Sequence, residues 1–212
     1  MRALILVDIQ NDFLPGGALE VPQGDKILNV VNLLQPLFPL VVATQDWHPA
    51  DHGSFAANHA GKSPGELIDL FGLTQVLWPV HCVQGSKGAE FSDQLHTSAI
   101  KKVFVKGTDS SIDSYSGFFD NGHRKATGLE DYLRDQQVEE VYVVGLAADY
   151  CVKFTALDAK ASGFRTFVIE DATRGVNLSQ YDTRDAFFEM EAAGIHLINS
   201  QDVIQMMESQ EE

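Results

Sequence analysis

Short apolar runs rich in β-branched residues alternate along the chain with longer stretches whose apolar positions recur at helical spacing. The short runs predict strands over residues 3–8, 40–44, 102–106, 140–145, 165–169 and 195–198. The longer stretches predict helices over residues 25–35, 127–137, 150–162, 180–193 and 200–208. Alternation of this kind is typical of βα units, so we expect an α/β fold built on a mostly parallel sheet.

One segment, residues 45–101, breaks this alternation. Only a short helix over 64–71 and a strand over 74–78 are predicted within it, and loops of this length are usually functional or disordered. Five of the seven histidines and both tryptophans fall in the segment, which favours an ordered insertion that holds a site. These residues are His48, His52, His59, His81 and His96, with Trp47 and Trp78. We therefore expect a single domain over residues 1–212 with an insertion at about 45–101.

The chain is strongly acidic, with 15 Lys and Arg against 30 Asp and Glu and a formal net charge of −15. This charge repels a nucleic-acid backbone or an anionic membrane, so we expect neither as a partner. The most apolar stretch, residues 28–44, is interrupted by Asn, Gln and Pro and falls short of the ~20 apolar residues of a membrane span. With two cysteines and no signal-peptide pattern, the chain is predicted to be cytoplasmic, with reduced thiols.

Reactive side chains close several of the predicted strands. Asp8 ends the first strand, Asp46 follows the second, Lys106 ends the third, and Cys151 begins the helix after the fourth. Ligand sites of open α/β sheets lie beyond the carboxyl ends of the strands, so these four side chains are expected to converge. A helix start and a nearby ammonium group favour the thiolate, which makes Cys151 the candidate nucleophile. Cys82 is the competing thiol, although no strand-to-helix turn precedes it.

A second constellation lies in the insertion. Asp46, His48 and His81 offer one carboxylate and two imidazoles, a ligand set suited to a divalent metal such as zinc, iron or manganese. His52 is either a further ligand or a supporting residue, and the same question is open for Ser54.

Five motifs follow one another along the chain: Asp8-Ile9-Gln10-Asn11-Asp12-Phe13, Asp46-Trp47-His48, Trp78-Pro79-Val80-His81-Cys82, Lys106-Gly107 and Gly145-Leu146-Ala147-Ala148-Asp149-Tyr150-Cys151-Val152. Taken in this order, they resemble the nicotinamidase (pyrazinamidase) branch of the isochorismatase-like cysteine hydrolases, and the likeness runs from Met1 to about Val203. The resemblance implies a six-stranded, mostly parallel sheet flanked by helices on both faces, in the three-layer isochorismatase-like arrangement.

The resemblance also implies the catalytic machinery. It makes Asp8, Lys106 and Cys151 a catalytic triad in which the thiolate attacks a carboxamide. A cis peptide is implied at Leu146–Ala147, with the amides of Ala147 and Cys151 directed at the developing oxyanion.

The implied activity is conversion of nicotinamide to nicotinate and ammonia in NAD salvage, with pyrazinamide as a related substrate. One divalent metal, with zinc foremost, is implied on Asp46, His48 and His81, where it would hold the ring nitrogen of the substrate. Phe13, Trp78 and Tyr115 match the ring-contacting positions of the family, with Leu19 nearby. Tyr150 departs from the His found before the nucleophile in some members. A homo-oligomer is compatible with the sequence.

Three other functions are compatible with the same residues. The first is another amidohydrolase or isochorismatase of this fold, although the trio Asp46, His48 and His81 favours a pyridine carboxamide. The second is a noncatalytic, metal-stabilised binding protein, against which the intact Asp8, Lys106 and Cys151 argue. The third is a hydrolase that uses a metal-bound hydroxide, with the thiol incidental.

Overall fold

The computed structural model describes residues 1–209, and a six-stranded parallel sheet forms its centre. The sheet order is β5-β2-β1-β6-β7-β8, and every neighbouring pair is parallel. The strands of this sheet are β1 (Arg2–Val7), β2 (Leu40–Asp46), β5 (Ile100–Lys106), β6 (Glu140–Leu146), β7 (Arg165–Arg174) and β8 (His196–Ile198). The predicted α/β fold with a six-stranded parallel sheet is therefore confirmed.

Helices cover both faces of this sheet. They are α1 (Leu28–Leu34), α2 (Leu129–Asp135), α3 (Lys153–Ala161), α4 (Asp182–Ala192) and α5 (Ser200–Glu208). Successive residues of a strand point to opposite faces, so β1 contributes Leu4 and Leu6 to a core with α1 and α5. Its alternate residues Ala3 and Ile5 contribute to a core with α2, α3 and α4. Burial on both faces explains why the strands read as continuous apolar runs.

The predicted helix over 64–71 is wrong, because this region forms a β-hairpin. Strand β3 (Leu67–Leu70) pairs antiparallel with β4 (Leu73–Val76). The two connecting residues, Phe71 and Gly72, have φ of 50° and 88°, the left-handed values that a tight hairpin turn of this length requires. The four residues Leu67–Leu70 fit a helix or a strand equally well, and the tight turn that follows them favours the hairpin.

Several element boundaries also differ from the prediction. Strand β7 continues past residue 169 to Arg174, since Thr173 and Arg174 pair with β6 after a register shift. The helix predicted from 150 begins instead with one π-helical turn, Ala148–Val152, which leads into α3. The remainder of the insertion between β2 and β5 contains only short 3-10 turns within the described chain. Among residues 1–209, no helix combines the length and apolar character needed to cross a membrane.

Candidate active site

Three elements of the sheet bring Asp8, Lys106 and Cys151 together at its carboxyl edge. Asp8 directly follows β1, Lys106 is the last residue of β5, and Cys151 lies in the π-helical turn after β6. The Lys106 Nζ lies 2.8 Å from a carboxylate oxygen of Asp8 and 3.3 Å from the Cys151 Sγ. The Asp8 carboxylate and the Cys151 sulfur lie within 4.8 Å of each other. The structure thus assembles an acid, a base and a thiol at one point.

Lys106 is the centre of this cluster. Its side chain is fully buried, and its ammonium group donates to Asp46 Oδ1 at 2.5 Å and to the Ser114 carbonyl at 2.8 Å. Burial alone would lower the pKa of Lys106, but Asp46 and Asp8 outweigh it and raise the pKa well above its usual range. The ammonium group is therefore a fixed positive charge between two carboxylates.

The two carboxylates differ in their environment. Burial raises the pKa of Asp8, with Lys106 acting in the opposite direction. Burial would also raise the pKa of Asp46, but Lys106 and His48 together hold it well below the usual range. Of the two, Asp8 is therefore the better proton acceptor, and Asp46 is the permanent anion.

The expected thiolate of Cys151 is not favoured by this environment, and that interpretation of the sequence is corrected. Burial raises the pKa of Cys151 well above its ordinary value, although Lys106 opposes the effect. The π-helical turn also replaces the ordinary helix start on which the expectation rested. The thiol therefore holds its proton at neutral pH and needs a base beside it.

Asp46, His48 and His81 form a second cluster that shares Asp46 with the first. The Asp46 Oδ2 lies 3.5 Å from His48 Nε2 and 3.7 Å from His81 Nε2, and all three side chains are buried. The opposite ring nitrogens are already engaged, since His48 Nδ1 meets the Gly107 carbonyl and His81 Nδ1 meets the Pro79 carbonyl, both at 2.8 Å. Histidine metal ligands are commonly oriented in this way, so the donor set fits a divalent metal.

His52 belongs to a different group from Asp46 and His81. Its donor atom clusters with those of His48 and Asp113, and its ring centroid lies 4.4 Å from that of His48. The His52 Nδ1 meets the Ser54 hydroxyl at 2.7 Å, while its buried Nε2 has no hydrogen-bond partner within residues 1–209. Ser54 is therefore occupied by His52.

A cavity of about 30 Å³ lies between the thiol and the histidine cluster. By volume it has room for about two water molecules, so entry of an aromatic ring requires some lining side chains to shift. Its lining includes every predicted ring-contacting residue, namely Phe13, Leu19, Trp78 and Tyr115. Asp46, His81, Asp113, Ala147, Tyr150, Cys151 and Val176 complete it.

The aromatic walls of this cavity hold one another in place. The Trp78 indole donates to the Tyr115 hydroxyl at 3.2 Å, and the Tyr150 ring meets Trp78 edge-on with centroids 4.8 Å apart. Phe13 packs against His81 with centroids 5.6 Å apart. Tyr150, whose role the sequence left open, is therefore part of the wall.

The backbone beneath the thiol has the expected form. The peptide bond between Leu146 and Ala147 is cis, at the position that the resemblance implies. Ala147 lines the cavity, whereas Leu146 is buried in the core beneath α1. The competing thiol, Cys82, is also buried and lies in that same core, outside the cavity lining.

Sequence reasoning missed three buried polar residues that support the site. The Thr44 hydroxyl donates to Asp8 Oδ1 at 2.6 Å. The Gln10 side chain accepts from the Asp46 amide at 2.9 Å and donates to the Asp46 carbonyl at 2.8 Å. Gln75 of β4 donates to the Tyr115 hydroxyl at 3.0 Å. A polar residue in an otherwise apolar strand, as at Thr44, is the signal that could have identified the first of them.

Known proteins share this architecture. The Isochorismatase domain family matches residues 2–202. The nicotinamidase of Escherichia coli (strain K12) is 54% identical over 200 residues, covering 92% of this chain and 93% of the relative. Among solved structures, a nicotinamidase pyrazinamidase of Acinetobacter baumanii is 47% identical with a TM-score of 0.93, covering 95% of this chain and 97% of that chain.

A pyrazinamidase of Pyrococcus horikoshii, solved in complex with zinc, is 39% identical with a TM-score of 0.76. The alignment covers 93% of this chain and 98% of that chain. The match over residues 2–202, together with relatives at this level of identity, shows that the chain belongs to the isochorismatase family.

Proposed function

We propose that this protein is a nicotinamidase, a metal-dependent cysteine amidohydrolase that converts nicotinamide to nicotinate and ammonia and also deamidates pyrazinamide. One observation carries the proposal: Asp46 joins the Lys106 ammonium beside the thiol to the two histidines, so nucleophile and metal cluster share one carboxylate. A pyridine carboxamide carries two groups that this arrangement could engage, the carboxamide carbon and the ring nitrogen. The names of the relatives in Escherichia coli and Acinetobacter support the same activity.

The reaction begins with the neutral thiol of Cys151. Asp8 accepts the thiol proton while the sulfur attacks the carboxamide carbon, which gives a tetrahedral adduct with a negative oxygen. Asp8 then gives the proton to the departing nitrogen, and ammonia leaves a thioester on Cys151. Water, deprotonated by Asp8, hydrolyses the thioester to the acid and restores the thiol.

Lys106 and the backbone complete this cycle. The Lys106 ammonium lies 3.3 Å from the sulfur and stabilises the thiolate once its proton has left. The amides of Ala147 and Cys151 donate to the developing oxyanion, and such a donor contributes roughly 3–4 kcal/mol to the transition state.

Asp46, His48 and His81 would hold the divalent metal, which we assign as zinc. It would supply a Lewis acid for the ring nitrogen of the substrate. Phe13 and Trp78 then enclose the ring.

We assign the chain to a single domain whose insertion, residues 45–101, contributes His48, His81 and Trp78 to the site beside the sheet. Both cysteines are free, which is typical of a reducing compartment, and we place the enzyme in the cytoplasm.

The deciding experiment measures ammonia release. The purified protein with zinc is incubated with nicotinamide, and nicotinate and ammonia are quantified in parallel. The Cys151→Ala variant serves as the negative control, since covalent catalysis leaves it little residual rate. Absence of ammonia with the wild-type protein refutes the proposal. Undiminished turnover by Cys151→Ala would instead favour hydrolysis by a metal-bound hydroxide.

A further inference from the structure

The ring-contacting loop and the metal-binding loop are fastened to each other along their length. The first, residues 8–19, carries Phe13 and Leu19, and the second, residues 78–91, carries His81. The Asn11 amide donates to the Glu90 carbonyl at 3.0 Å, and Gln10 and Phe91 form an antiparallel bridge. These contacts between the two loops, which we call the seam, join the two parts of the cavity wall.

Asp12 lies in the middle of the seam, and its carboxylate contacts both loops. One oxygen, Oδ2, accepts from the backbone amide of Cys82 at 2.7 Å. The other, Oδ1, accepts from the Ala18 amide at 3.2 Å, and the Asp12 carbonyl accepts from the Leu19 amide at 2.9 Å. The mechanism proposed above uses none of these groups.

The residue that Asp12 holds, Cys82, sits between the two histidines of the metal cluster. It directly follows His81, and its carbonyl accepts from the His48 amide at 3.0 Å. Its φ is 45°, a left-handed value that a residue with a side chain adopts at a cost and that its surroundings must maintain. A charged acceptor on the Cys82 amide is such a constraint.

Gly88 provides an independent test of this contact. A Cβ added at Gly88 would overlap the Asp12 carboxylate. Gly88 has no positive φ, so its backbone accepts alanine, and the three atoms nearest to the added methyl group all belong to the Asp12 carboxylate. The same carboxylate can therefore be displaced without changing any charge.

We infer that Asp12 is a positioning residue: through Cys82 it fixes the spacing of His48 and His81, and through its own loop it couples that spacing to Phe13 and Leu19. This inference rests on the proposed function, because it assigns Asp12 a role in binding the metal and the ring. A residue that only stabilises the fold would leave the zinc affinity of the folded protein unchanged.

The test measures zinc affinity directly. The full chain is stripped of metal, and zinc binding is followed by competition with a chromophoric chelator, with folding verified by circular dichroism. We expect Asp12→Ala and Gly88→Ala each to weaken zinc binding by about 10-fold or more, the range typical of residues that orient metal ligands. Asp93→Ala is the matched control, since its side chain is 85% exposed near the same loop and should leave the affinity unchanged.

The double variant is the sharpest comparison. In the Asp12→Ala background the carboxylate that the added methyl group would displace is gone, so Gly88→Ala should add less than about a twofold loss. An equal loss from Gly88→Ala in both backgrounds overturns the inference, as does wild-type zinc affinity in folded Asp12→Ala. If Asp12→Ala does not fold, Asp12→Asn takes its place in the single-variant measurement, where loss of the charged acceptor should weaken zinc binding and unchanged affinity overturns the inference; Gly88→Ala is then compared in the wild-type background only.

The outcomes also separate this inference from the proposed function. Wild-type protein that binds zinc and hydrolyses nicotinamide, with Asp12 variants that do both equally well, refutes the role of Asp12 alone. Wild-type protein that binds zinc but releases no ammonia refutes the proposed function, while the zinc series still decides the role of Asp12.

Discussion

Replacing Thr44 by valine should weaken catalysis at acidic pH and leave it intact at neutral pH. The Thr44 hydroxyl donates to Asp8 Oδ1 at 2.6 Å, and both residues are fully buried. Valine has nearly the same shape and cannot donate, so Thr44→Val removes one hydrogen bond to the carboxylate and little else.

The sign of the effect follows from the protonation state that the bond favours. Burial raises the pKa of Asp8, while Lys106 and the Thr44 hydroxyl lower it. Loss of the hydroxyl therefore raises the pKa of Asp8 and moves the acidic limb of the rate profile to higher pH. A hydrogen bond to a charged group contributes about 1.5–3 kcal/mol, which on that limb corresponds to a loss of about 10- to 160-fold in kcat/KM.

The assay is ammonia release from nicotinamide at saturating zinc, with kcat/KM measured across the acidic pH range. Thr173→Val is the matched control, because this buried threonine lies on β7 of the same sheet and its hydroxyl has no hydrogen-bond partner in the described chain. Its profile should overlay that of the wild type. If the acidic limb of Thr44→Val also overlays the wild type, Asp8 is not the group that titrates there, and its assignment as the base is wrong.

Three further predictions concern the nucleophile, the metal and its ligands. Cys151→Ala should leave less than about a thousandth of the wild-type rate, while Cys82→Ala keeps most of it; similar rates for the two variants would contradict covalent catalysis. Removal of the metal by a chelator should sharply weaken binding of nicotinamide but not of benzamide, which lacks the ring nitrogen. Equal losses of affinity for the two ligands in a calorimetric titration would show that the metal does not hold that nitrogen. Gly107 has a φ of 62°, and a Cβ there would overlap the His48 ring. Gly107→Ala should therefore lower zinc affinity by at least about tenfold. Unchanged zinc affinity would argue against His48 as a ligand.

The sheet was predictable from sequence, but the hairpin in the insertion was not. Parallel strands buried on both faces give long apolar runs, and these mark the elements of the main sheet directly. Strand β3 offers only Leu67–Leu70, too few residues for periodicity to separate a strand from a helix. Its pairing depends on the left-handed turn at Phe71 and Gly72, and a Phe in that conformation is rarely anticipated.

The residues that form the site were predictable from the sequence, but the protonation state of Cys151 was not. Residues at the carboxyl ends of parallel strands meet at one edge, which brings Asp8, Lys106 and Cys151 together. The protonation state of Cys151 depends on how deeply the thiol is buried, and that depth results from packing over the whole molecule. The contact between Asp12 and Cys82 joins residues 70 positions apart, and no local pattern records it.

The division of the site between sheet and insertion bears on how this fold diversifies. The residues to which we assign the chemistry, Asp8, Lys106 and Cys151, lie at or just beyond the carboxyl ends of the central strands. The insertion contributes much of the proposed binding surface, including His48 and Trp78. Insertions between strands can be lengthened, shortened or rebuilt while strand register is kept. Exchange of residues 47–99 should therefore change the range of substrates while the strands of the main sheet stay as they are. A mutant library confined to that segment would vary substrate specificity and leave Cys151 unchanged.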